Sequence, residues 1–329
     1  MEAREFTARV MASGVEATIV GAPSGTQPNA ASSAAMWSDV LALLTRLELR
    51  WSRFLDDSDI SRLNRSNGRP VVVDPSTITL LSVMLEGWRL TQGRFDPSIL
   101  PALLRAGYTA SIDDPRRITI LPAATPDAAA SMSDIEIDSD TVTLPAGLAL
   151  DPGGIGKGLA ADLAVDRLIE LGAAGALVSI GGDMTVRGTP PDRDAGWTVA
   201  VERPGTPGDT LCTLALDAGA IATSSTRSRR WIDDRGEHHH AIDPRHRAPS
   251  LTDLDAVTVI DRSGWLAEVH ATAALLEGSS TVIRYLEHHG LAGLAVTSAG
   301  GMLATGDLAD DLHDHAVSVM TTSSEGWFR

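Results

Sequence analysis

Three groups of residues in this 329-residue chain have the types and spacing to do chemistry. The first surrounds Lys157, in the run Asp151-Pro152-Gly153-Gly154-Ile155-Gly156-Lys157-Gly158. A glycine-rich turn that opens a helix presents unpaired N–H groups at the positive end of the helix dipole, which suits an anion such as phosphate. Neither familiar phosphate motif is complete. Asp151 stands where a P-loop needs its first glycine, Gly158 where it needs Ser or Thr, and Leu159 where a dinucleotide fingerprint needs its last glycine. The lysine itself is informative, because the 27 Lys and Arg residues include no other. In a chain that otherwise uses arginine, a compact ammonium on a thin stem is expected where a broad guanidinium fork does not fit. A chance remnant on a solvated face is the alternative.

The second group is Glu268 and Thr272, four residues apart and therefore on one face of a helix, within an otherwise apolar run from Trp265 to Leu275. A carboxylate and a hydroxyl are oxygen ligands of the kind Mg²⁺ takes, usually with phosphate oxygens and water. Read alone, the pair also fits a solvated polar stripe. The third group runs from Thr223-Ser224-Ser225 through Arg229-Arg230 to His238-His239-His240-Ala241-Ile242-Asp243-Pro244-Arg245. Three consecutive histidines suggest zinc at first sight, but neighbouring side chains on an extended chain point to opposite sides, and partners at finger-like spacing are missing. One histidine acting as a general base near neutral pH is the better reading, with a surface histidine as the alternative.

These residues need elements to hold them. The pattern predicts strands at 6–20, 71–73, 175–180, 183–188, 197–202, 211–216, 219–223 and 257–261, with a pair of short strands near 134–150. Helices are expected at 34–50, 76–91, 159–171 and, between a Ser263 N-cap and a Gly278 stop, 263–278. Hairpins outnumber long crossovers, so the expected fold is α+β, with mixed, mostly antiparallel sheets and packed helices. Linker-like composition at Gly21–Asn29 and Asp114–Asp127 separates no self-sufficient halves, so residues 1–329 read as one domain, at most two interleaved subdomains.

The formal charge of −16 argues against a surface that grips nucleic acid or acidic membrane. With one cysteine, Cys212, an intramolecular disulfide is excluded. No apolar stretch has the length of a membrane span, and the opening residues lack a secretory h-region, so the expected address is the cytoplasm.

Seven motifs, in order, resemble the ApbE-type FAD:protein FMN transferases. The central one is Ala149 through Asp162, which contains the Lys157 loop. The others are Trp51-Ser52-Arg53-Phe54 through Asn64; Gly93-Arg94-Phe95-Asp96-Pro97; Leu177 through Asp183; Ala222 through Ser225; His240 through Arg245; and Leu266-Ala267-Glu268 with Thr272. The resemblance implies an enzyme that takes FAD with Mg²⁺, joins the FMN half through a phosphoester to a Thr or Ser hydroxyl of an acceptor protein, and releases AMP. It places flavin and FAD contacts on Met11, Phe54, Arg94, Phe95, Asp96, Asp151, Lys157 and Ala241. Metal ligands fall on Gly154, through its carbonyl, and on Glu268 and Thr272. Catalytic roles fall on His240 as base, on Lys157, and on Asp151, which orients either a metal water or a ribose hydroxyl.

Four departures stand out against the family pattern: Met11-Ala12-Ser13 for Met-Gly-Thr, Ser225 for glycine, Glu268 for aspartate, and Phe54 for an aromatic that carries a hydroxyl. They keep open an FAD-binding or storage protein, and a Mg²⁺-dependent FAD pyrophosphatase that yields FMN and AMP.

Overall fold

A computed structural model describes residues 2–21, 32–122, 130–233, 236–306 and 308–309. Of the two linker-like stretches, positions 22–29 and 123–127 lie outside the described residues. The chain builds an eight-stranded sheet in which every neighbouring pair is antiparallel. Its spatial order is β1 (Ala3–Val10), β2 (Ser13–Val20), β6 (Gly175–Ile180), β7 (Asp183–Gly188), β10 (Gly219–Ser225), β15 (Leu254–Asp261), β16 (Ala292–Thr297) and β17 (Met302–Ala304). Small satellites complete the β structure. They are β3 (Val71–Val72), β5 (Thr141–Thr143) and β4 (Glu136–Asp138) as one sheet, and the pairs β8 (Trp197–Glu202) with β9 (Thr210–Leu216), β11 (Arg230–Asp233) with β12 (Gly236–His239), and β13 (Ile242–Asp243) with β14 (Ala248–Pro249). The helices are α1 (Ser33–Trp51), α2 (Asp59–Asn64), α3 (Pro75–Leu90), α4 (Leu100–Arg105), α5 (Gly156–Glu170), α6 (Gly264–Leu275) and α7 (Val282–His288). This is the expected α+β class with mostly antiparallel sheet.

The sheet is covered on both faces, and its strands show this as alternation. Val15, Ala17 and Ile19 of β2, Val257 and Val259 of β15, and Ala295 of β16 enter the core beneath α1, α3, α5 and α6. Val20, Ile260, Leu294 and Val296 point the other way, onto Trp197, Val199, Leu214 and Leu216 of the β8–β9 hairpin. No described helix is long and apolar enough to cross a membrane.

Three local expectations change. The single strand at 6–20 is a hairpin that turns at Met11 and Ala12, both at φ 55°. A two-residue turn with both φ values positive matches the twist of the flanking strands, which hydrophobic alternation does not reveal. Ala12 is strained there; the left-handed region costs a non-glycine residue about 1 kcal/mol. Ala12→Gly should therefore gain about 0.5 kcal/mol after the greater freedom of glycine in the unfolded chain is subtracted. A urea midpoint at or below that of the parent would exclude the strain.

The helix expected at 159–171 starts at Gly156, so Lys157 and Gly158 belong to its first turn. Ser263 occupies the N-cap position of α6 without capping it; its hydroxyl is buried and has no hydrogen-bond partner. The buried Asp162 carboxylate of α5 takes that role, accepting from the N–H groups of Gly264 at 2.8 Å and Trp265 at 3.2 Å and from the Thr185 hydroxyl at 2.8 Å. A cap supplied by another helix leaves no local signal. It also fixes α5 against α6, which touch backbone to backbone: a Cβ on Gly158 would lie 2.2 Å from the Gly264 carbonyl oxygen.

Candidate active site

All twelve residues singled out above line one cavity of about 400 Å³ at the edge of the sheet-and-helix core. Met11 comes from the β1–β2 turn, Phe54 from the segment after α1, and Arg94, Phe95 and Asp96 from the segment after α3. Asp151, Gly154 and Lys157 come from the glycine loop and the first turn of α5, His240 and Ala241 from the residues after β12, and Glu268 and Thr272 from α6.

The expected cradle of free N–H groups is largely absent. The Gly153 N–H donates to Asp151 Oδ1 at 2.7 Å, those of Ile155 and Gly156 donate to the Pro152 carbonyl, and that of Gly158 donates to Glu268 Oε2 at 2.8 Å. The loop satisfies its own backbone because it is partly buried. A Cβ on Gly153 would stand 2.9 Å from Asp151 Oδ1 and push that carboxylate aside. The other Asp151 oxygen lies 3.0 Å from Arg53 Nε, so this carboxylate braces the loop.

Lys157 likewise has protein partners. Its ammonium contacts Asp183 and lies 2.6 Å from Glu268 Oε1. Burial disfavours the ammonium, but the two carboxylates outweigh it and raise the lysine pKa. Burial pushes the Glu268 carboxyl above the usual carboxylate range, against the opposing effects of Lys157 and the Gly158 N–H. Asp183, at the start of β7, also accepts from the Thr223 N–H at 3.1 Å. Helix α6 is buried along almost its whole length, so Glu268 is no part of a solvated stripe.

Of the residues named for a metal, Gly154 and Thr272 are neighbours, while the two oxygens of Glu268 accept from Lys157 and from the Gly158 N–H. A Cβ on Gly154 would lie 3.3 Å from Thr272 Oγ1, and that hydroxyl is 3.1 Å from Ser224 Oγ. Glu268 stands one helical turn before Thr272. A set of carbonyl, hydroxyl and carboxylate oxygens suits a hard cation such as Mg²⁺. Among the described residues no group of three or more His, Cys, Asp or Glu could hold a metal. The three histidines diverge: His238 stacks on Trp231, His239 Nε2 donates to the Ser250 carbonyl at 3.2 Å, and His240 Nδ1 donates to the Ser228 carbonyl at 3.2 Å. The Ser228 bond leaves Nε2 of His240 as the acceptor. Burial, with Arg229 adding to it, pushes this imidazole down to about 3, so it is neutral at physiological pH.

Arg94 and Asp96 are partly committed elsewhere. Arg94 pairs with Glu277 and lies over the Tyr285 ring, and Asp96 Oδ1 accepts from the Ser98 N–H at 2.8 Å. Arg229 of the third group also lines the cavity, as do Arg53, Tyr108 and Asp183, to which no role was given. Arg53 and Asp183 lie inside quoted motifs, whereas Tyr108 belongs to a stretch with no periodic signal.

The chain matches the ApbE family over residues 11–295. It is 30% identical over 256 residues to an FAD:protein FMN transferase of Treponema pallidum, covering 73% of this chain and 70% of the relative. A Vibrio cholerae protein of the same description is 26% identical over 270 residues, covering 77% and 76%. Among solved structures, the apo form of the Pseudomonas stutzeri flavinyl transferase ApbE superposes with a TM-score of 0.76 at 26% identity, covering 92% of this chain and 95% of that one. The ApbE protein of Thermotoga maritima gives 0.78 at 22% identity, covering 92% and 97%. With the match spanning the β1–β2 turn to β16, and with every motif that carries it opening onto one cavity, this chain belongs to the ApbE family.

Proposed function

We propose that this protein is an FAD:protein FMN transferase that moves FMN from FAD to a Thr or Ser hydroxyl of an acceptor protein, with Mg²⁺, and releases AMP. The observation that carries this reading is the convergence of an aromatic wall (Phe54, Tyr108), an oxygen-donor set (Gly154, Ser224, Glu268, Thr272) and a neutral histidine on one cavity. Its volume lies within the usual range for small-molecule sites.

In the proposed step the acceptor oxygen attacks the FMN phosphorus, the bond from that phosphorus to the AMP phosphate oxygen breaks, and AMP leaves with the electron pair. His240 Nε2 takes the hydroxyl proton; its Nδ1–H, held by the Ser228 carbonyl, fixes the tautomer. An imidazole near 3 is a weak base, but its low value owes part to Arg229. A pyrophosphate beside Arg229 would offset that charge and raise the imidazole pKa toward the physiological range. Bound at Gly154, Glu268 and Thr272, Mg²⁺ would neutralise charge on the phosphates. Lys157 holds Glu268 and Asp183 in place, and Asp151 braces the loop that presents Gly154.

The test is to incubate the protein with FAD, Mg²⁺ and a candidate acceptor domain and to weigh the acceptor. An FMN-sized mass gain, lost when the target Thr or Ser becomes Ala or Val, is the expected result. FMN and AMP without that gain would make the protein a pyrophosphatase, and FAD retained intact would make it a carrier.

A further inference from the structure

Residues 108–119 form a hairpin over the cavity. The Thr119 N–H donates to the Thr109 carbonyl and the Ser111 N–H to the Arg117 carbonyl, each at 2.9 Å, and Ala110 bridges to Ile118. Tyr108, Ser111, Ile112, Asp113 and Arg117 contribute to the cavity wall. Near its tip the hairpin is tied down by Asp113, which pairs with the exposed Arg9 of β1. Its base has a different anchor.

That anchor is Arg53, whose side chain is only 3% exposed. One guanidinium reaches three parts of the site. Nη1 donates to the Thr119 hydroxyl at 2.7 Å and Nη2 to the Tyr108 carbonyl at 3.2 Å, so both legs of the hairpin are held together. Nε lies 3.0 Å from Asp151 Oδ2, and the second oxygen of that carboxylate takes the Gly153 N–H. The guanidinium carbon is 4.0 Å from the Phe54 ring centroid and 4.8 Å from that of Tyr108, while the two rings meet edge to face. The Arg53 carbonyl accepts from the hydroxyls of Thr119 at 3.1 Å and Ser61 at 3.2 Å, which ties the backbone at this point to the hairpin and to α2.

We propose that Arg53 is a positioning residue: it holds the 108–119 hairpin, and with it the Phe54–Tyr108 wall, in a fixed relation to the glycine loop. A planar fork that donates in three directions while lying against two rings does this, and a lysine does not, because its single ammonium reaches one partner at a time. The consequence for catalysis rests on the flavin-transferase reading, since it treats the aromatic wall as the flavin side and the loop as the phosphate side. The anchoring of the hairpin does not rest on it.

The experiment compares Arg53→Lys and Thr119→Val with the parent, as full chains. Without any ligand, trypsin cleavage after Arg116 and Arg117 at the hairpin turn reports how often the hairpin opens. Cleavage at least about fivefold faster in Arg53→Lys, with a smaller increase in Thr119→Val, is expected if opening limits the reaction. With FAD and Mg²⁺, kcat for FAD consumption should fall about tenfold in Arg53→Lys while KM changes less than about threefold, because misalignment is felt mainly in the transition state. Quenching of FAD fluorescence on binding should weaken in parallel. Parent-like cleavage, kcat and quenching in Arg53→Lys would overturn the proposal. Should Arg53→Lys fail to fold, Thr119→Val decides, and parent-like behaviour there overturns it as well. A parent protein that ignores FAD would sink the flavin reading, and the ligand-free digestion would still decide the anchoring.

Discussion

Replacing Lys157 with alanine is expected to destabilise the protein by about 3–5 kcal/mol, because it strands the buried carboxylates of Asp183 and Glu268 without their shared cation. The loss depends on pH in a definite direction. A carboxyl whose folded pKa is raised, as that of Glu268 is, binds protons more tightly folded than unfolded, so the stability it supports declines as pH rises through that window. Removing the ammonium raises it further. Urea denaturation at about pH 8 should therefore show a larger deficit for Lys157→Ala than at about pH 5.5. Lys157→Arg keeps the charge but not the shape: a broad planar fork would have to replace the compact ammonium that sits between Asp183 and Glu268. Turnover of FAD by Lys157→Arg should fall at least about tenfold, or about 1.4 kcal/mol of transition-state stabilisation, and that of Lys157→Ala further. Full activity in the arginine variant would make the solitary lysine an accident of composition.

If turnover depends on Mg²⁺ as proposed, Glu268→Ala is expected to abolish it, a loss of at least about hundredfold or 2.7 kcal/mol, while FAD affinity stays within about threefold because the aromatic wall and the outer cavity are untouched. The substitution removes the charged member of the oxygen set, frees the Gly158 N–H and leaves Lys157 with Asp183 alone. Thr272→Ala should weaken metal dependence less, since a neutral hydroxyl is the poorer ligand and Ser224 Oγ stands 3.1 Å from its position. Titrating Mg²⁺ into each variant, with FAD consumption and FAD fluorescence read separately, tests both. An unchanged response to Mg²⁺ in Glu268→Ala would remove Glu268 from the proposed metal site.

Much of the fold was legible before any coordinates. Strands 175–180 and 183–188 match β6 and β7 residue for residue, because each is a short, mostly buried run bounded by glycines, and 197–202 matches β8, whose burial alternates at period two. The β11–β12 and β13–β14 pairs and α7 were not, since they are short and their apolar residues too few to establish a period. The β1–β2 turn escaped because its positive-φ residues are Met11 and Ala12, neither of which signals a turn.

For the site, the division follows the range of the forces. Residue types and spacing alone mark the chemistry: one lysine among glycines, a carboxylate and a hydroxyl on one helical face, a histidine before Ala241-Ile242-Asp243-Pro244. What those residues do to one another is set by long-range packing. Lys157 meets Asp183 and Glu268, 26 and 111 positions away, because β6 and β7 pair beneath α5 and because Gly158 lets α5 touch α6 at Gly264. Arg53 joins Asp151 to the 108–119 hairpin, and Asp162 caps a helix about one hundred residues on, for the same reason. Local periodicity records which face of an element is buried. Which charge a buried group finds there depends on strand order and helix crossing, and those are fixed by packing the whole chain at once.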